Sequence, residues 1–507
     1  MTVAVVLATD PIADLPYGTG PEAPTLLHRL LGQLASLNVP DIRIVARPET
    51  ATLLRKNPET VGPVAPTVIE SESAVEDLRA IARTAREAAR PVLLVPGGTV
   101  ANDELLIRLS GRQRDLATAV TETTTGGEDA DPAVRLGGGR VMSAESGFHR
   151  VTAPNAVFRG PLRVAPARRI TLARVAERLA ALLETPGALP DAVPRTSGVP
   201  ALLLVGLVRA GVRVSALGAA PLVCRQVHDA EEARAARSAV EAVDEDKVRL
   251  SAAVKSNDGF FTTYAVSTYS RYIAKLAAKL RLTPNMVTSL SMAIAVGAAF
   301  AFAAGTRTGM VVGAVLYYFA FVFDCVDGQL ARYTRRFSTF GAWLDATFDR
   351  AKEYAVFAGL AVGSTAAAAG GSVDGGDVWT LAVLAMAVQT CRHMIDFSFG
   401  ARGRPPAAPL PVTPLTSPGD GLPPAGAVAA RRGGPIGLLK RLLAKTGSGP
   451  AYWAKKMIVF PIGERFAVVS VTTAFWNARV TFLVLLAWGS VAAAYTLSGR
   501  MLRSVTR

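Results

Sequence analysis

Residues 323–349, FDCVDGQLARYTRRFSTFGAWLDATFD, place four aspartates (Asp324, Asp327, Asp345 and Asp349) among stretches apolar enough to cross a bilayer. An ionised aspartate in a membrane interior costs upward of about 2.5 kcal/mol, so each is a candidate functional residue. Their spacing points to a common cause. Asp324, Asp327, Gly328 and Ala331 recur at i, i+3, i+4 and i+7, which puts them on one helix face. Gly341, Asp345 and Asp349 recur at i, i+4 and i+8 on the helix that follows. A short turn over 333–340 makes the two helices antiparallel neighbours, with the marked faces meeting. Four facing carboxylates repel unless cations separate them, and such hard oxygen ligands suit one or two Mg2+, Mn2+ or Ca2+ ions. Gly328, Ala331 and Gly341 leave room for a ligand against the backbones. Metals held this way at a basic membrane boundary fit transfer at a phosphate group. They would clamp a pyrophosphate, and a spare carboxylate would take the proton of an attacking hydroxyl.

The elements that must position these residues are apolar spans over about 286–304, 309–331, 341–364, 378–397, 457–475 and 480–498. Each is near the ~20 residues a membrane helix needs, which predicts six crossings. Tyr264, Tyr269 and Tyr272 alternate with Arg271, Lys275, Lys279 and Arg281 ahead of the first span, the pattern of an amphipathic helix in the headgroup layer. Arg332, Arg335 and Arg336, the terminal Arg500, Arg503 and Arg507, and nine Lys or Arg against Asp420 over 398–456 mark one side of the membrane. The opposite loops near 304–308 and 365–377 hold a single basic residue, Arg307. The positive-inside rule puts the first group, both termini and the carboxylates at the cytosolic side of a cell membrane. The proline-rich, basic 398–447 stretch reads as a flexible cytosolic loop.

Half of the 507 residues are hydrophobic, and the net charge is +15. That excess favours anionic lipid or a phosphorylated substrate. Nucleic acid is excluded, because the basic residues cluster beside apolar segments. Cys224, Cys325 and Cys391 have no metal-ligand spacing, and Cys325 and Cys391, in predicted membrane segments, read as buried thiols. The opening MTVAVVLATDPIADL has no basic region and too short an apolar run for a signal peptide. Residues 1–250 read as a cytosolic α/β domain with a mostly parallel sheet, since VAVVLA (3–8), IRIVA (42–46) and PVLLV (91–95) alternate with helical stretches. Residues 229–250 read as one closing helix, 251–284 as a juxtamembrane segment, and 285–500 as an all-α bundle of six membrane helices.

The pattern Asp324-x-x-Asp327-Gly328-x-x-Ala331-Arg332, then Gly341-x-x-x-Asp345-x-x-x-Asp349, resembles the signature of the CDP-alcohol phosphotransferase family, and LTPNMVT (282–288) resembles that family's approach to its first membrane helix. The resemblance covers roughly 255–500. It implies a six-helix membrane fold that forms homodimers. It also implies a reaction in which a hydroxyl attacks the β-phosphate of a CDP-linked alcohol and CMP leaves. By the same resemblance Asp324, Asp327, Asp345 and Asp349 hold two divalent ions, Mg2+ or Mn2+. Asp349 is the general base, and Gly328, Ala331, Arg332 and Gly341 shape the CDP pocket. The donor is CDP-diacylglycerol or a CDP-inositol-like molecule, and the acceptor a polyol or inositol phosphate. Arg350, Lys352, Arg392, Lys456 and Arg465 are candidates for an acceptor phosphate, and His393 is a helix-packing or pocket residue.

The first 250 residues resemble a sugar-nucleotidyltransferase that has lost its chemistry. TDPIADLPYGTGPEA (9–23) lacks the basic phosphate loop, Gly97 and Gly98 stand where a metal-binding aspartate would, and His228 replaces another aspartate. Without those groups nucleotidyl transfer loses its electrostatic stabilisation. The pairing of halves resembles inositol-phosphate cytidylyltransferase/di-myo-inositol-phosphate phosphate synthase fusions. Two other readings stay open: a bifunctional enzyme, and a non-catalytic membrane protein with a nucleotide-sensing domain.

Overall fold

The structure is a computed structural model that describes residues 2–11, 15–18, 24–56, 66–112, 115–123, 131–189, 198–255, 258–369, 378–401, 412–423 and 450–505. The chain divides into two compact units. One combines Met1–Val248 with Pro406–Gly433, and the other combines Arg249–Pro405 with Gly434–Arg507.

The first unit is α/β. In chain order its elements are β1 (Val3–Ala8), α1 (Leu26–Ser36), β2 (Asp41–Ala46), α2 (Pro48–Lys56), β3 (Thr67–Glu70), α3 (Ala74–Glu87), β4 (Val92–Pro96), β5 (Thr99–Ala101) and α4 (Asp103–Ser110). There follow β6 (Ala117–Thr123), β7 (Ala133–Gly137), β8 (Arg140–Ala144), β9 (Ala156–Val164), α5 (Arg169–Glu184), α6 (Gly198–Arg209), β10 (Val214–Gly218), β11 (Cys224–Gln226) and α7 (Ala230–Glu241). Every residue of β1 is buried, as an apolar run covered on both faces must be. Val3, Val5 and Leu7 enter one core layer, while Ala4, Val6 and Ala8 enter the other. The sheet order is β3-β2-β1-β4-β9-β6-β10-β8-β7. It is parallel from β3 to β4, but β9 runs antiparallel to both β4 and β6, so the sheet is mixed rather than mostly parallel.

Two further expectations change here. The expected closing helix over 229–250 breaks after α7 and resumes as α8 (Glu245–Ala253). Glu245 accepts from Asn102 Nδ2 at 2.8 Å and from the Glu104 amide at 2.7 Å, so its carboxylate caps the start of α4. The proline-rich stretch, expected to be a flexible loop, is packed over its described part, 412–423. Leu415 joins the α/β core. Arg209, which is 7 % exposed, donates to the carbonyls of Pro414 and Ser417 at 2.6 Å and of Gly419 at 2.9 Å. Asp420 accepts from the Thr152 amide at 2.8 Å and its hydroxyl at 2.9 Å. His149 Nε2 lies 2.7 Å from the Leu415 carbonyl, so that nitrogen carries the proton, and Nδ1 accepts from Ser146 Oγ at 2.7 Å. Burial pushes the His149 imidazole down to about 4.

The second unit is helical: α9 (Ser267–Lys279), α10 (Pro284–Ala303), α11 (Arg307–Thr334), α12 (Thr339–Ala369), α13 (Val378–Ala401), α14 (Pro450–Ile458), α15 (Ile462–Phe475) and α16 (Ala478–Val505). On α9, Ser270, Ala274 and Ala277 are buried, whereas Tyr272, Leu276 and Leu280 form an exposed apolar row. Pro284 at the first turn and the Thr283 hydroxyl, which accepts from the Met286 amide, start α10. Among the described residues four helices (α10, α11, α13 and α16) are long and apolar enough to cross a membrane, and α14 with α15 makes a fifth span if that bent pair is counted as one. Six were expected. The shortfall is at α12, whose first half carries Asp345, Asp349, Arg350, Lys352 and Glu353, and at the 71° bend between α14 and α15. Phe460, at φ +53°, and Pro461 occupy that bend. Cys391 on α13, expected to be a buried thiol, is exposed. α10 packs against both α11 and α12. A Cβ on Gly359 or Gly363 would fall 2.4 Å from the Ala299 carbonyl oxygen or 2.0 Å from that of Phe302, so these glycines set how closely α12 approaches α10.

Candidate active site

α11 ends where Arg335 takes the left-handed conformation at φ +56°, and α12 begins four residues later. That tight turn folds the two aspartate stripes onto each other. Carboxylate oxygens of Asp324, Asp345 and Asp349 come within 4.8 Å of one another. Asp327, 4 % exposed, turns toward α10 and accepts from Thr288 Oγ1 at 2.6 Å. Beside the cluster is a cavity of about 180 Å³. Asp327 and Asp345 lie at its carboxylate end, Gly328, Ala331 and Gly341 line its walls, and Arg332 and Arg336 supply positive charge. Arg332 is anchored by its Nε–H to the Ala253 carbonyl. A Cβ on Gly341 would lie 2.6 Å from Asn285 Oδ1, so this glycine keeps the cavity wall thin against the start of α10.

The four aspartates with Gly328, Ala331 and Gly341, which spacing singled out, and Arg332, which the resemblance added, are thus brought to one place. The donor set is oxygen only, it is gathered from two rigid helices, and Asp349 Oδ1 is buried without a hydrogen bond of good geometry. These residues fit a hard divalent cation. Among the described residues no second group of this kind occurs, and none lies in the α/β unit. There Asp229, next to His228, caps α7 through the Glu231 and Glu232 amides.

The residues expected to meet an acceptor phosphate are engaged elsewhere, and none of the five lines this cavity. Lys352 is fully buried against Asp324, with Nζ 3.2 Å from Asp349 Oδ1. Arg465 pairs with the buried Glu353 at 2.8 Å, and Gln389 donates to the other oxygen of that carboxylate at 2.8 Å. His393 Nε2 stands 3.5 Å from the same group, which makes it a packing neighbour of the ion pair. Arg392 donates to the Val459 and Phe460 carbonyls at 2.8 and 3.2 Å. Lys456 donates to the Asp258 carbonyl at 2.5 Å and sits over the Tyr452 and Trp453 rings. Arg350 lies over Phe397. Sequence reasoning missed Asn285, Thr288 and Ser291. All three share one face of α10, and a polar stripe in an otherwise apolar helix was the available signal.

Residues 281–410 match the family described as CDP-alcohol phosphatidyltransferase, a range that includes the whole carboxylate cluster. The chain is similar to the phosphatidylinositol phosphate synthase of Mycolicibacterium smegmatis, at 42 % identity over 21 % of this chain and 46 % of the relative. It is also similar to the archaetidylinositol phosphate synthase of Pyrococcus horikoshii, at 36 % identity over 18 % of this chain and 47 % of the relative. The chain spans about half the length of the curated relatives it matches. The inositol-1-phosphate CTP transferase of T. maritima aligns over 47 % of this chain and 96 % of its own, at 12 % identity and a TM-score of 0.34.

Proposed function

We propose that the helical unit is a membrane CDP-alcohol phosphotransferase that transfers a phosphoalcohol group to a hydroxyl, with CDP-diacylglycerol as donor and an inositol phosphate as acceptor. The carrying observation is the cluster of Asp324, Asp345 and Asp349 from two antiparallel helices beside a cavity that Asp327 and Asp345 line and that Gly328, Ala331 and Gly341 wall. Arg332 and Arg336 offset phosphate charge, and the small residues let the nucleotide lie against the backbone. A bound divalent ion would lower the charge on the donor's phosphate oxygens. Asp349 takes the proton as the acceptor oxygen attacks the β-phosphorus. The bond from that phosphorus to the bridging oxygen breaks, and CMP departs with the electron pair.

Incubating the full chain with Mg2+, a panel of CDP-linked donors and polyol or inositol-phosphate acceptors, and measuring CMP, tests this. Donor-dependent CMP lost in Asp349→Asn supports it. No CMP from any pair, or an unaffected variant, removes it in favour of a non-catalytic membrane protein. CTP-dependent pyrophosphate release by the full chain would favour the bifunctional reading instead. The positive-inside pattern supports a cytosolic-facing site in a cell membrane, and the exposed apolar row of α9 supports placing that helix in the headgroup layer. A homodimer is the assembly that crosslinking in membranes would test.

A further inference from the structure

Lys352 lies one turn beyond Asp349 on α12, and its side chain is 0 % exposed. Its ammonium contacts Asp324 Oδ1, stands 3.2 Å from Asp349 Oδ1, and donates to Ser291 Oγ at 3.2 Å. Ser291 in turn donates to the Ala320 carbonyl at 2.8 Å, which fixes the hydroxyl that receives the ammonium. The four carboxylates are therefore not equivalent. Asp324 and Asp349 share a tethered cation, while Asp327 and Asp345 make no ion pair among the described residues and face the cavity.

A second dication placed between Asp324 and Asp349 would share both carboxylates with an ammonium that has no route to solvent, and like charges repel strongly where water is scarce. We propose that the Lys352 ammonium takes one of the two cation positions that four such carboxylates would otherwise offer, so that the cluster binds one divalent ion, at its Asp327–Asp345 side. This rests on reading the cluster as a cation site, as proposed above. The ammonium balances charge next to the candidate base without being lost to chelators.

The test counts ions rather than turnover. Full-length protein in detergent is stripped with chelator and titrated with Mn2+, and the free-ion electron paramagnetic resonance signal gives the number bound per chain. One Mn2+ in wild type and two in Lys352→Met are expected, with Lys352→Arg keeping one. Two in wild type overturns the proposal by itself, whether or not a variant folds. One in both wild type and Lys352→Met also overturns it, with Lys352→Gln counted alongside and thermal melting confirming that each is folded. No bound Mn2+ in wild type would instead overturn the underlying cation-site reading.

Discussion

Thr288 Oγ1 donates to Asp327 Oδ2 at 2.6 Å, so α10 fixes a carboxylate that belongs to α11. A hydrogen bond to a charged group contributes roughly 1.5–3 kcal/mol. Thr288→Val keeps the shape and removes the donor. CMP release is expected to fall about tenfold to a hundredfold, with Thr288→Ser recovering most of it. An unchanged rate in Thr288→Val would separate Asp327 orientation from turnover.

Asp349→Asn keeps the volume and removes the proton acceptor. The expected loss in CMP release is roughly 10²- to 10⁴-fold, the range for general-base removal. Binding of a CDP-linked donor, followed by calorimetry, is expected to persist.

Gly341→Ala adds a methyl 2.6 Å from Asn285 Oδ1 and 2.8 Å from Ser338 Oγ. The wall must move into the cavity or the start of α10 must shift. A raised KM for the CDP donor with a smaller change in kcat is expected, and Asn285→Ala in the same chain should restore part of it.

Arg465→Met leaves Glu353, which is 2 % exposed, as a buried charge without its partner. Removing one member of a buried pair typically costs about 3–5 kcal/mol. A lower melting temperature is expected, with the double variant Arg465→Met/Glu353→Gln recovering much of it.

His149 holds the Leu415 carbonyl as a neutral ring, with its folded value near 4 against an ordinary 6.5. Between those values the released form binds a proton that the packed form does not. Stability from this contact is therefore complete above pH 6.5 and is lost as pH falls toward 4, by at most about 3 kcal/mol. Lower protection of the 412–423 amides against hydrogen exchange, relative to the intrinsic rate at each pH, is expected as pH falls through that window. His149→Gln should flatten the pH dependence.

The aspartate stripes were legible because helical spacing is local: residues three and four apart share a face wherever the helix sits. The same logic reaches Lys352, three residues past Asp349, yet its charge invited a phosphate contact. Only the packing of α10 shows that it points into the carboxylates. The break before Glu245 was hidden because the group it reaches, the Glu104 amide in the first turn of α4, lies about 140 residues away. Proline-rich composition reads as solvated chain, and nothing near Leu415 announces that His149 and Arg209 are waiting for its backbone. The span count slipped where apolar length and charge compete, in α12.

The seat made by His149, Thr152 and Arg209 for 412–423 has a consequence for how the chain can be cut. The polypeptide enters the α/β unit, leaves it, and returns to it from between α13 and α14. The two halves are therefore not beads on a string that recombination or a truncation at residue 250 would separate cleanly. A fragment ending there would carry an empty notch, and a helical half retaining 412–423 would carry that segment without its seat. Each half comes with a piece only the whole gene supplies.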